Sequence, residues 1–109
     1  MNNKILSLLS LATKAGKTVG GEVLVEKAVK EGKASLVIVS SEASANTKKK
    51  FTNMCTYYKV PLRFFGTKEE LGRFTGKEFW ASVALLGRDF YDSFEKLFET
   101  TESDGTRIG

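Results

Sequence analysis

Lys27 and Lys30 stand one turn apart on a short amphipathic segment that begins directly after Gly20-Gly21. A glycine-broken loop that feeds a helix leaves unbonded amides at the helix start, where anions bind. Lysines one turn apart on that helix are spaced to meet neighbouring phosphates. Wound at about 100° per residue, the segment puts Glu22, Val23 and Glu26 on the open side with both lysines. Leu24, Val25, Ala28 and Val29 fall in the other arc and are expected in the core. Lys17, in the loop before the glycines, adds a further cation. The solvated face of an ordinary amphipathic helix has the same charge pattern, so the lysines alone leave both readings open. Val23 favours a contact surface, because an apolar side chain sits on the open side beside the lysines.

Other constellations are weaker. Gly16-Lys17-Thr18 looks like the end of a nucleotide-binding loop, but Leu11 occupies the position where that motif needs its first glycine. The preceding segment also reads as helix rather than strand. Lys48-Lys49-Lys50 would fan across more than half of a helix circumference and reads as a solvated face. Cys55 lies in an apolar stripe and is expected to be a buried structural thiol. With no histidine in the chain, histidine-based triads and the usual zinc sites are excluded. No paired carboxylates stand out, and neither catalysis, a metal nor a cofactor is expected. Phe79 and Trp80 are adjacent aromatics in the Lys77–Trp80 segment. If that segment is extended, one of them points outward and can stack on an unpaired base. The alternative is that one of them closes an end of the core.

The elements that must position these residues follow from periodicity. Ile5, Leu8, Leu9 and Ala12 mark a first helix that stops near Gly16. Lys17 to Gly20 is extended or loop, and a second helix runs from Gly20-Gly21 to about Glu31. Leu36-Val37-Ile38-Val39 is a continuous apolar run, expected as a core strand. Ser41 and Ser44 offer caps for a third helix with Phe51, Met54, Cys55 and Tyr58 inward. Val60 to Phe65 is a second strand, with Pro61 placing it near a sheet edge. Thr67-Lys-Glu-Glu70 is a capping box for a short helix, Ser82 to Leu86 a third strand, and Phe90, Phe94, Leu97 and Phe98 the stripe of a last helix. Alternation of helices with short strands implies an α/β fold, a three-layer α/β/α sandwich around a small mixed central sheet. Residues 1–98 are expected to form a single domain and residues 99–109 a polar, disordered tail.

Charge is unevenly divided. Residues 1–60 carry ten lysines against four glutamates, a net of +6, while residues 61–109 carry seven basic and nine acidic side chains, a net of −2. The excess sits in the half that holds the glycine–helix element, which favours a polyanionic partner. A lone cysteine fits a reducing, cytoplasmic setting, and no apolar run is long enough to span a membrane.

The segments Lys27-Ala-Val-Lys-Glu-Gly-Lys-Ala-Ser-Leu-Val-Ile-Val39, Thr67-Lys-Glu-Glu-Leu-Gly-Arg-Phe-Thr-Gly76 and Ala81-Ser-Val-Ala-Leu-Leu86 together resemble the L-seven-Ae/L-thirty-e ribosomal protein family, in the right order and across residues 4 to 98. The LLSLATKAGK and SSEASANTKKK segments are similar to its bacterial YlxQ-like branch. The resemblance implies the same sandwich and binding to kink-turn RNA. In that family a loop and helix N-terminus enter the groove at tandem sheared G·A pairs, and a second loop meets a flipped-out nucleotide. The first element corresponds to Gly20–Lys27, with Gly21 at the glycine position and Lys27 at the RNA-contacting lysine. The second corresponds to Lys77–Trp80. At Val23 and Leu24 the chain departs from the Asn-Glu or Lys-Gln pair of RNA-binding members, and neither side chain can hydrogen-bond a guanine edge. The implied RNA-binding set is therefore Lys17, Gly20, Gly21, Glu22, Val23, Lys27, Lys30, Lys77, Phe79 and Trp80, acting mainly through shape and phosphate contacts. The expected partner is structured RNA of the kink-turn type, ribosomal RNA included, bound by a monomer. The alternative is a protein-interaction module in which Val23, Leu24, Phe79 and Trp80 form an apolar patch.

Overall fold

The computed structural model describes residues 3–73, 75–76 and 80–106. The elements run α1 (Asn3–Lys14), β1 (Thr18–Gly20), α2 (Glu22–Lys30), β2 (Ala34–Val39), α3 (Ala45–Tyr58), β3 (Leu62–Phe64), α4 (Lys68–Arg73), β4 (Ser82–Leu86) and α5 (Tyr91–Thr106). The four strands lie in the order β1-β4-β2-β3. β4 is antiparallel to both β1 and β2, while β3 is parallel to β2 on the outer edge. The sheet is therefore mixed, and Pro61 sits beside its edge strand.

Side chains alternate along a strand, so a strand covered on both faces is apolar at every position. On β2, Leu36 and Ile38 join Val83 and Leu85 of β4 on one face, against Ile5, Leu9 and Ala12 of α1, Leu71 of α4, and Phe94 and Phe98 of α5. Val37, Val39 and Ala84 face the other way, against Val25, Ala28 and Val29 of α2 and Phe51, Met54 and Cys55 of α3. Two helical layers thus enclose the sheet, as the alternation of elements implies. Arg63 of β3 also bonds Glu95 of α5 at 2.8 Å, tying the edge strand to the last helix.

Local signals fix several boundaries. Ser44 caps α3 by accepting the Thr47 N–H at 3.1 Å. The capping box at α4 is reciprocal: the Glu70 N–H donates to Thr67 Oγ1 and the Thr67 N–H to Glu70 Oε1, both at 2.9 Å.

Of the extended and loop readings open to Lys17–Gly20, the structure shows an edge strand over Thr18 to Gly20, which find partners in β4. The structure differs from the expectations at three places. Leu24 is 50% exposed rather than buried. It shares the inward arc of Ala28 but lies a turn earlier, ahead of the residues that meet the sheet. Tyr58 is also exposed. The chain turns there at Lys59, in the left-handed region at φ 61°, and Val60 takes the place against the core. Finally, α5 continues to Thr106, into the segment expected as a polar tail. Adding a residue to an existing helix needs no core contact, since nucleation is the costly step.

Cys55 is buried and unpaired, and burial pushes its thiol up to about 11. Folded protein at pH 8 should therefore resist a thiol reagent and react at the unfolding rate once denaturant is added. Immediate stoichiometric labelling of the native protein would place this thiol at the surface.

Candidate functional site

α2 starts from two glycines with different duties. Gly20 ends β1 opposite Val83, and a Cβ there would lie inside the indole ring of Trp80. The ring rests directly on the Gly20 backbone, and only glycine leaves room for it. Gly21 has φ 90° and ψ 150°, a region open essentially to glycine. Its N–H donates to the Ser82 carbonyl at 3.0 Å, which turns the chain off the sheet and into the helix.

Gly21 offers no side chain to cap α2. The Val25 amide is the first to bond back, to the Gly21 carbonyl at 3.0 Å. The amides of Glu22, Val23 and Leu24 therefore form the open donor end of the helix, where the backbone dipoles favour an anion. Val23 is 77% exposed beside them, and Leu24 is half-exposed.

The neighbouring loops are lashed to the same end of the sheet. Ser40 donates its N–H to Ala81 O at 2.8 Å and its hydroxyl to Gly66 O at 2.9 Å. The Ser41 N–H also reaches Gly66 O, and the Trp80 N–H reaches Lys68 O at 3.1 Å. The α2 start thus has a firm rim on one side, with Trp80 joining it to the loop after α4.

The charges are not arranged as the helical wheel alone suggests. Lys30 Nζ lies 2.8 Å from Glu26 of its own helix. Lys50 of α3 reaches across to Glu22 at 2.6 Å and to Glu26 at 3.0 Å. Hydrogen bonds from Lys30 and then Lys50 hold the Glu26 carboxyl below its ordinary range, and Glu26 holds the Lys30 ammonium above its own. Among the described residues no ion pair engages Lys27, which is fully available at the surface.

Of the residues singled out from the sequence, the structure brings together Gly20, Gly21, Glu22, Val23, Lys27 and Trp80 around the α2 start. Lys30 lies at the far end of the same helix with its charge shared. Lys17 stands at the other end of β1, 3.4 Å from Asp89, apart from the group. Lys77 and Phe79 lie outside the described residues. Trp80 is half-buried against the core of the α1 and α5 layer, so of the two roles open to it, the one the structure shows is closing an end of the core. Lys50 was not legible as part of this site, because its approach depends on how α3 sits beside α2. Among the described residues no group of acidic or cysteine side chains is placed to hold a metal, and no helix is long and apolar enough to cross a membrane.

Residues 3–95 match the Ribosomal protein L7Ae/L30e/S12e/Gadd45 family. The chain belongs to that family. It is 41% identical over 92 residues to the RNA-binding protein YlxQ of Bacillus subtilis, covering 84% of this chain and 92% of that protein. The YlxQ of Enterococcus faecium is 38% identical over 74 residues, 68% of this chain and 72% of that protein. A solved protein of unknown function from Bacillus halodurans superposes with a TM-score of 0.85 at 37% identity, covering 90% of this chain and 99% of that one. The Giardia lamblia 15.5kD RNA binding protein superposes with a TM-score of 0.76 at 21% identity, covering 94% of this chain and 92% of that one, and shares the fold. The resemblance to the YlxQ-like branch of the family is thereby established.

In this member of the family Trp80 packs directly on Gly20 at the approach to α2. Gly20→Ala should cost about 1–3 kcal/mol by overpacking and displace the indole. Trp80 is the single tryptophan, so its emission should shift to the red as the melting temperature falls. A variant with unchanged emission and unchanged melting would show that the ring does not rest on Gly20.

Proposed function

We propose that this protein binds structured RNA at the start of α2, and that the RNA it prefers is bent in the manner of a kink-turn. The observation that carries the reading is the uncapped α2 N-terminus, with three outward amides, Lys27 one turn on with no ion pair among the described residues, and Val23 exposed between them. The amides and Lys27 suit phosphate oxygens. Val23 suits the face of a base or sugar and offers no hydrogen bond to a base edge. Recognition in this reading rests on backbone shape and charge, with little readout of base identity. The family and the RNA-binding names of the relatives support it, and a ribosomal or ribosome-associated RNA is the corresponding partner class. The chain acts as a binding protein and not as an enzyme.

Titration of a kink-turn RNA against a straight duplex of equal length tests the reading. The bent RNA should bind at least about tenfold more tightly. Lys27→Ala should lower the slope of log affinity against log salt by roughly one. Lys30→Ala should lower it by less, since Glu26 already shares that charge. Equal, weak binding of both RNAs with an unchanged Lys27→Ala slope would overturn the reading and favour a protein partner for exposed Val23 and Leu24.

A further inference from the structure

We propose that Lys50 sets the charge of the α2 start by neutralising Glu22 and Glu26, and that it thereby determines how tightly this face takes RNA. This rests on the RNA reading above and adds a residue from a different helix to it. Glu22 and Glu26 lie on one side of α2, about 6 Å apart along its axis. Both lie within a Debye length, about 10 Å at 0.1 M salt, of an anion seated at the helix start. Bare, the two carboxylates would repel the phosphates that the amides and Lys27 attract. Lys50 bridges both, at 2.6 and 3.0 Å, and with Lys30 on Glu26 brings the four-charge group to neutrality.

The position of Glu22 matters as well as its charge. A carboxylate in the first turn of a helix is drawn to the open amides of that turn. Released, Glu22 would compete for the place a phosphate takes. The Lys50 ammonium, held above its ordinary range by Glu22 and then Glu26, keeps it turned toward α3. These pairs are half-exposed, and exposed pairs contribute little to stability. What the bridge changes is the local field. The other lysines of the run do something else: Lys48 lies over the Phe64 ring at 5.8 Å, and Lys49 is exposed with no partner among the described residues. Lys49→Ala removes the same formal charge and serves as the control.

The test is a double-mutant cycle on the intact chain with a kink-turn RNA at about 0.1 M salt. Lys50→Ala should weaken binding about five- to tenfold, from carboxylates left uncompensated near phosphates, and Lys49→Ala by less than about twofold. Lys50→Ala combined with Glu22→Gln should return to within about twofold of wild type, and Lys50→Arg should bind as wild type does. A double variant as weak as Lys50→Ala, or a Lys50→Ala effect no larger than that of Lys49→Ala, overturns the proposal. A second arm needs no RNA. Inorganic phosphate titrated into the free protein should move the Val23 and Leu24 amide resonances at lower concentration in wild type than in Lys50→Ala, because bare carboxylates repel the anion. Identical titrations in the two proteins also overturn it. If wild type shows no preference for bent RNA, the RNA reading fails, and this second arm still decides whether Lys50 sets the charge of the α2 start.

Discussion

β2 is apolar on both faces, and the two layers of the molecule are built from its alternation. Leu36 and Ile38 supply one core, Val37 and Val39 the other, and both sets are fully buried. A shift of one residue in its pairing would exchange the two sets, offering the place against Phe94 and Phe98 to valines and the place against α2 and α3 to leucine and isoleucine. β4 reads the same parity from the other side, with Ala84 between Val83 and Leu85. The small side chain at Ala84 faces the α2 layer, the layer that carries the proposed RNA face.

A second contact converts this frame into a site. Trp80 arrives from the loop after α4 and rests on Gly20, at the point where β1 gives way to α2. One ring closes the end of the core and covers the backbone of the residue that ends β1. Gly20 and Gly21 share an RNA-binding role in the resemblance, and the lack of a side chain at Gly20 makes room for the protein's own tryptophan. Gly21, with its positive φ, keeps the other part of the role, since it leaves the first amides of α2 facing outward.

Much of this was legible in the sequence. Element types and the sandwich follow from periods that are properties of the backbone, and the caps at Ser44 and Thr67–Glu70 are local chemistry. The exposure of Val23 and Lys27 follows from angle alone. The differences are positional. Leu24 and Tyr58 have the right angle for burial but sit in terminal turns, where angle no longer decides what lies beneath. The Glu26–Lys30 pair is an i,i+4 spacing within α2, whereas the Lys50 contacts cross from α3 to α2.

The sequence by itself determined the secondary elements, the two-sided burial of β2, the basic half of the chain and the family to which it belongs. These depend on residues within a few positions of one another, or on an order of motifs that survives without coordinates. Only the tertiary structure decided which glycine serves packing and that Lys50 joins Glu22 and Glu26. Such outcomes depend on the separation of side chains brought together by folding from 28 or 60 positions apart. Coulomb and contact energies change over a few ångströms, a distance that no spacing along the chain encodes.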